Sequence, residues 1–256
     1  MFLGDYVSTQ VILHGVYEKG NIEALKQNVF PKLPSKSVCL DVGANIGNHA
    51  VAFSKTFGKV VAFEPNPIVF LLLQANSIGR NIKPINSGLS SKSGKLLFEQ
   101  DFDNLGASKI INLASASSIE ILVTTLDDEI PENEIQSVSF IKIDVEGHEY
   151  EVLRGAKKLL ESAKPVLAIE AIYRSETEAG EKVEKLLRSV GYTYFYKMSS
   201  NSKLVKFLEK RQVDLNRSYL RFLVSQKQID DQSIVEIETL AGTDNPLAIV
   251  STFDLL

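Results

Sequence analysis

The chain has 256 residues, of which 44% are hydrophobic and 23% charged, and these proportions are those of an ordinary soluble globular protein. A net charge of −4 and an isoelectric point near 5.6 argue against a general nucleic-acid binder, which is usually basic. The single cysteine excludes an intrachain disulfide, and the sequence shows neither a signal peptide nor an apolar stretch of membrane-spanning length, so we expect a cytoplasmic protein.

Residues 1–36 are predicted to form an N-terminal lead-in, and residues 37–256 an α/β domain. From residue 37 onward, strands and helices alternate about every 20–25 residues, which is typical of βαβ units and a parallel sheet. The predicted strands are Ser37–Val42, Lys59–Phe63, Ile82–Ser87, Ser137–Val145, Pro165–Glu170, Tyr192–Tyr196 and Leu247–Phe253. The predicted helices are Asn21–Phe30, Gly47–Phe57, Pro67–Gly79, Glu149–Glu161 and Glu176–Ser189.

Two stretches depart from this alternation. Residues 90–137 are predicted to contain a hairpin near Gly94 and a polar loop over Asp101–Ser118. Residues 198–245 are predicted to be an insertion before the last strand.

The run LDVGANIG follows the first predicted strand and leads into a helix. Gly43 and Gly47 permit a tight turn and close approach of the backbone to a ligand, and the start of the helix favours an anionic group. Glu64 ends the second predicted strand, 21 residues after Gly43, where a carboxylate can bind both hydroxyls of a ribose. Together these residues predict a ligand that contains adenosine.

Two further residues distinguish between adenosine-containing ligands. Asn45 stands where a dinucleotide-binding loop has its middle glycine, and Asp41 would repel a pyrophosphate. The same Asp41 would attract the ammonium group of S-adenosylmethionine, which contains no phosphate. The sequence therefore favours this methyl donor over a nicotinamide dinucleotide.

The fourth predicted strand runs into the acidic sequence IDVEGHEYE. Because neighbouring parallel strands end at the same edge of a sheet, we expect Asp144, Glu146, His148 and Glu170 to face the same crevice as the glycine loop. For a hydroxyl acceptor, His148 is the candidate general base, and Glu146 or Glu170 would orient it. The alternative is that Asp144, Glu146 and Glu170 bind a divalent cation such as Mg²⁺, and we favour the metal-free version. His49 is interpreted as a structural or surface residue.

The motifs DVGANIG, FEPNP, IKIDVEGHEYEVLRGA and PVLAIE, in this order, resemble the FkbM family of S-adenosylmethionine-dependent methyltransferases. The resemblance covers roughly residues 38–197 and implies a class I methyltransferase fold, which is Rossmann-like with helices on both faces of a mostly parallel sheet. That sheet has seven strands in the order 3-2-1-4-5-7-6, with strand 7 antiparallel.

The resemblance also implies roles for individual residues. The methionine-side loop would comprise Asp41, Gly43, Asn45 and Gly47, and Asp144 would also serve the cofactor. Glu64 would hold the ribose, with Pro65 and Asn66 shaping the adjacent turn. Ser90 and Ser91 stand where the family often has an acid near adenine, while Asn104 and Ser108 belong to a stretch near the acceptor.

The function predicted from these residues is O-methylation of a hydroxyl on a small molecule or a glycan, with no nucleic-acid partner and with S-adenosylmethionine as cofactor. Two alternatives remain at this point. One is a nicotinamide-dependent oxidoreductase, and the other is a non-catalytic module that binds S-adenosylmethionine.

Overall fold

The computed structural model of the chain describes residues 6–101, 108–170, 177–200, 232–237 and 247–255. Within these ranges, twelve strands form two sheets. In chain order the strands are β1 Val38–Val42, β2 Lys59–Phe63, β3 Ile82–Ile85, β4 Gly88–Leu89, β5 Gly94–Glu99, β6 Lys109–Ile111, β7 Ser118–Thr124, β8 Val138–Ile143, β9 Val166–Glu170, β10 Tyr194–Ser200, β11 Gln232–Ile237 and β12 Leu247–Ser251.

The larger sheet has eight strands in the order β3-β2-β1-β8-β9-β12-β10-β11. The strands from β3 to β9 are mutually parallel, whereas β12 runs antiparallel to both of its neighbours. When the small sheet and β11 are left out of the numbering, the first seven strands in this order reproduce the 3-2-1-4-5-7-6 arrangement, so the predicted class I methyltransferase fold is confirmed. The eighth strand, β11, was not predicted and pairs antiparallel with β10. It lies in the predicted insertion 198–245, of which residues 201–231 and 238–245 lie outside the described ranges.

Eight α-helices lie within the described residues. They are α1 Tyr6–His14, α2 Lys19–Asn28, α3 Asn48–Phe53, α4 Pro67–Ser77, α5 Leu126–Glu129, α6 Glu149–Arg154, α7 Lys157–Ala163 and α8 Thr177–Ser189, with short 3-10 helices at Phe30–Lys32 and Ile135–Ser137. Across the described part of the chain, none of the helices combines the length and the apolar character needed to cross a membrane.

The central strands are apolar on both faces because helices cover both sides of the sheet. On one face, α2, α3 and α4 pack on an aromatic cluster in which Phe30 meets Phe53 and Phe140 edge-to-face, at centroid distances of 5.6 and 5.2 Å. On the other face, α6, α7 and α8 bury side chains such as Leu153 and Leu187. Fully burying one side chain of this size stabilises the fold by about 1.5–3 kcal/mol. The lead-in is therefore packed against the sheet through α2.

The single helix predicted over Glu149–Glu161 is two helices, and this prediction was wrong at its centre. A Cβ atom at Gly155 would lie 2.1 Å from the carbonyl oxygen of Ser90, so only glycine fits at the break. The Gly155 carbonyl accepts a hydrogen bond from the backbone N–H of Asp127 rather than continuing the helix. The carboxylate of Asp127 then accepts the N–H groups of Lys158 and Leu159, both at 2.9 Å, and thereby caps α7.

The smaller sheet, in the order β4-β7-β5-β6, accounts for the stretch that breaks the βαβ alternation. β5 begins at Gly94 and pairs antiparallel with β7 and β6. The hairpin predicted near Gly94 was wrong, because β4 pairs with β7 rather than with β5. The loop predicted over Asp101–Ser118 was wrong at Lys109–Ile111, because these residues form β6 and pair with Leu97–Glu99 of β5. A three-residue strand carries too little periodicity to be recognised from sequence.

Candidate active site

The loop after β1 lies directly against the chain that leaves β8. Gly43 has a φ angle of +74°, and a Cβ atom at this position would lie 1.7 Å from the carbonyl oxygen of Asp144. The N–H groups of Gly43 and Ala44 donate to the carbonyl of Phe63, at 3.1 and 2.9 Å. The N–H of Asp144 donates to the carbonyl of Val42 at 3.1 Å. These contacts join the ends of β1, β2 and β8 at one crevice, as the sequence predicted.

Glu64 ends β2 as a buried carboxylate, with only 7% of the residue exposed. One carboxylate oxygen accepts the N–H of Asn66 at 2.8 Å, and the other accepts the N–H of Asn45 at 2.9 Å. Burial raises the pKa of Glu64 to about 7 in spite of these two bonds. A carboxylate offers about four lone-pair sites, so each oxygen retains capacity for another donor. Two adjacent hydroxyl groups, as on a ribose, match this capacity.

Pro65 and Asn66 connect Glu64 to α4. The Asn66 side chain caps α4 by accepting the N–H groups of Ile68 and Val69 at 3.0 and 3.4 Å. Its Nδ2 donor is buried and has no hydrogen-bond partner among the described residues.

Asn86 is a residue beside Glu64 that the sequence interpretation missed. The strand β3 ends at Ile85, earlier than predicted, so Asn86 stands at its carboxyl end. The Asn86 amide donates to the carbonyls of Glu64 and Pro65, at 2.8 and 3.2 Å. The change from apolar Ile85 to polar Asn86 was the sequence signal that could have located the end of the strand.

Ser90 and Ser91, expected near adenine, have their hydroxyl groups directed toward α6. Ser90 Oγ is 2.9 Å from Nε2 of His148, and the Ser91 hydroxyl donates to Glu151 at 2.5 Å. The hydrogen bond of His148 therefore goes to Ser90 rather than to Glu146 or Glu170. Burial lowers the pKa of His148, which favours its neutral form.

The three carboxylates expected at the strand ends do lie together. Asp144, Glu146 and Glu170 each place an oxygen within 4.8 Å of the others. Burial and the neighbouring Asp144 raise the pKa of Glu170, which favours its protonated form and a hydrogen bond from Glu170 to Asp144. Burial raises the pKa of Glu146 to about 7, helped by the charges of Asp144 and Glu149. Glu146 also has a left-handed backbone, with φ of +52°.

Lys142 is the second residue that the sequence interpretation missed. Lys142 on β8 pairs in register with Asp41 on β1, and both side chains are buried. The Lys142 ammonium lies 2.9 Å from Asp144 Oδ2 and 3.6 Å from Asp41 Oδ1. Although burial opposes its charge, these two carboxylates raise the pKa of Lys142, while Lys142 helps to lower that of Asp144. A lysine two residues before Asp144 in an otherwise apolar strand was the available signal.

This pairing changes the electrostatic argument about Asp41. The residue is completely buried, and neither carboxylate oxygen has a hydrogen-bond partner within the described ranges. Lys142 shares its charge between Asp41 and the closer Asp144, so Asp41 does not act on a ligand as an isolated anion. The choice between cofactors therefore depends on other observations.

The lead-in forms one wall of a pocket at the ends of β8 and β9, which adjoins the glycine loop through Asp144. Glu18 and Asn21 line it together with Lys142, Asp144 and Glu170. His49, interpreted from the sequence as structural, also lines it. Of the two residues expected near the acceptor, Asn104 lies outside the described residues. Ser108 is buried, and its hydroxyl accepts the N–H of Asp101 at 3.1 Å.

Comparison with known proteins identifies the family. A sequence model of the methyltransferase FkbM domain matches residues 41–194, which is more than half of the chain. The chain belongs to the FkbM methyltransferase family.

Relatives of this FkbM-family chain include the hexuronic acid methyltransferase AglP of Haloferax volcanii, 38% identical over 132 residues that cover 51% of this chain and 54% of AglP. Methyltransferase sdnD of Sordaria araneosa is 27% identical over 160 residues, covering 48% of this chain and 61% of sdnD. The chain thus spans little more than half the length of the curated relatives it matches. The crystal structure of an FkbM methyltransferase from Methylobacillus flagellatus is 23% identical with a TM-score of 0.47, covering 65% of this chain and 40% of that one.

The crevice of this FkbM-family chain fits S-adenosylmethionine in its donor set. The buried Glu64 retains acceptor capacity for hydroxyl groups, and Gly43 lets the loop after β1 lie directly against the backbone of Asp144. Carboxylates and a buried ammonium stand at the adjoining strand ends, where the charged end of the cofactor requires partners.

Proposed function

We propose that the chain catalyses S-adenosylmethionine-dependent O-methylation of a hydroxyl group on a sugar or a related small molecule. The observation that carries the cofactor assignment is the buried Glu64 carboxylate at the end of β2, held by two backbone N–H groups and still able to accept two hydroxyls. Family membership supports the methyl donor over a nicotinamide dinucleotide. A sugar acceptor is supported by the relative named as a hexuronic acid methyltransferase.

The cofactor would be held by Glu64 at its ribose and by the loop of Gly43, Asn45 and Gly47, with Asp144 at its charged end. When bound, it supplies a methyl group that its sulfonium has already activated. The chain must align an acceptor oxygen with that group and remove the acceptor proton. Asp41 acts through Lys142, which it holds beside Asp144.

We propose Glu146 as the base that takes the acceptor proton. It is half-buried at the crevice edge among the strand-end carboxylates, whereas the protonated Glu170 already donates to Asp144. A base with a pKa near 7 is matched to this task at neutral pH. His148, the candidate from the sequence, has its Nε2 engaged with Ser90 and is the second candidate.

We also propose that the reaction needs no divalent cation, because the Lys142 ammonium already neutralises charge among the carboxylates that would bind one. A cation held by Asp144, Glu146 and Glu170 would have to enter against this resident positive charge.

The cofactor assignment is tested by calorimetric titration of the protein with S-adenosylhomocysteine, beside a titration with NAD. We expect binding of S-adenosylhomocysteine alone, and a large loss of affinity in the variant Glu64→Ala. Folding of that variant is checked by its thermal unfolding. Preference for NAD, or an affinity that Glu64→Ala leaves unchanged, would refute the assignment.

The activity is tested by incubating the protein with S-adenosylmethionine and a panel of hexuronic acid glycosides and neutral sugars, and measuring the methylated product by mass spectrometry. Comparison of Glu146→Gln with His148→Ala identifies the base. We expect Glu146→Gln to lower kcat far more than His148→Ala, with no effect of added Mg²⁺ or of a chelator. A chain that binds cofactor but methylates nothing in a broad acceptor panel would support the non-catalytic alternative.

A further inference from the structure

The crevice wall supplied by the lead-in has an unusual charge composition. Glu18 and Asn21 face a space that Lys142, Asp144 and Glu170 also line, with an apolar floor that includes Phe53. Both signs of charge are thus present around one small, largely buried volume. Because groups of both signs line it, such a volume suits a ligand that itself carries both charges.

The lead-in is fixed in this position by contacts to the residues that follow the glycine loop. The backbone N–H of Tyr17 donates to the Asn48 side chain, and the Asn48 amide donates to the carbonyl of Tyr17, both at 2.9 Å. Next to them, Nε2 of His49 lies 3.3 Å from a carboxylate oxygen of Glu18. The wall is therefore tied to the loop assigned to the cofactor rather than only to the outer surface of the sheet.

Glu18 has a backbone conformation that its side chain does not favour. It precedes α2 with φ of 51° and ψ of 40°, and its side chain caps no backbone group there. Glycine or asparagine is the usual occupant of this left-handed region. The start of the helix therefore does not account for a glutamate at this position.

We propose that Glu18 and Asn21 bind the amino-acid end of S-adenosylmethionine, so that the lead-in completes the cofactor site; this inference rests on the proposed function. The Glu18 carboxylate, with Asp144, would receive the ammonium group. The Asn21 amide, with the cationic side of the crevice at Lys142, would receive the carboxylate. A neutral acceptor hydroxyl carries no charge of its own to complement either sign.

The test compares two ligands by calorimetry: S-adenosylhomocysteine, and 5′-methylthioadenosine, which lacks the amino-acid end. The variants are Glu18→Gln, Glu18→Gly and Asn21→Ala, with Glu23→Gln as the matched control because Glu23 lies on the same helix and pairs with Lys26. We expect the Glu18 variants to weaken S-adenosylhomocysteine binding by about tenfold or more, the loss of one charge-assisted contact. Binding of 5′-methylthioadenosine should stay the same.

Glu18→Gly separates this role from a structural one. Glycine accepts the left-handed backbone at residue 18, so the unfolding temperature should be kept or raised while S-adenosylhomocysteine affinity still falls. Equal losses for the two ligands, or no loss for either, would overturn the inference. It would also be overturned if the wild type bound both ligands equally well. A wild type that binds neither ligand is a different result, because it refutes the proposed function itself.

Discussion

Substitution of Glu64 by glutamine should remove a pH dependence of cofactor binding that the wild type displays. Burial raises the pKa of Glu64 to about 7 in the free protein, and hydroxyl donors on a ligand would favour the ionised form. Affinity for S-adenosylhomocysteine should therefore increase as the pH rises through 7. With a pKa of about 7, roughly a tenth of the groups is ionised at pH 6 and roughly nine-tenths at pH 8, so the affinity should change nearly tenfold.

The stability of the free protein should change with pH in the opposite direction. Because the folded pKa of about 7 lies above the ordinary value of 4.5, the contribution of Glu64 to stability is fully present below pH 4.5. It is lost as the pH rises toward 7, by up to about 3 kcal/mol. The free-energy difference between wild type and Glu64→Gln in urea unfolding, measured from pH 5 to pH 8, isolates this contribution from that of the other buried carboxylates.

Both measurements can refute the reasoning. The pH dependence of affinity is measured by calorimetric titration of wild type and Glu64→Gln with S-adenosylhomocysteine between pH 6 and pH 8. An affinity that is flat in the wild type, or that rises equally in both proteins, would show that Glu64 does not bind the ligand as a carboxylate. A stability difference that does not vary with pH would show that its folded pKa is not raised.

Three other substitutions test the geometry around the crevice. Gly43→Ala should lower the free energy of urea unfolding by about 3 kcal/mol or more, because the new Cβ would lie 1.7 Å from a backbone oxygen and the backbone is left-handed. The control Gly79→Ala, which is also left-handed but has nothing within 4 Å of the new Cβ, should lower it by only about 1 kcal/mol. Equal costs would contradict the close approach. Lys142→Met should destabilise the protein by about 3–5 kcal/mol and create Mn²⁺ binding, measured by electron paramagnetic resonance, that the wild type lacks. Equally tight Mn²⁺ binding by the wild type would refute the role given to Lys142. Asn66→Ala should cost about 1 kcal/mol through loss of the α4 cap, seen as a lower unfolding temperature, and an unchanged temperature would argue against that cap.

Much of this protein follows from local patterns in its sequence. The period of apolar residues located the seven principal strands, and the glycine turn with Glu64 after the second strand located the crevice proposed for the cofactor. These features could be predicted because hydrophobic period, helix caps and turn chemistry depend on residues close together in the chain. The ends of parallel strands converge at one edge of the sheet, so the meeting of Asp144, Glu146 and Glu170 followed as well.

Other features depend on which residues meet across the fold. Lys142 neutralises Asp41 because the register of β8 against β1 places the two side by side, and neither strand alone encodes that register. The side chain of His148 bonds to Ser90 because the small sheet lies against α6. The sequence between Ser90 and His148 does not reveal that packing. Glu18 reaches the crevice because the packing of α2 on the sheet brings the lead-in back over the strand ends. Local chemistry thus determined where the crevice is, and long-range packing decided which charges surround it.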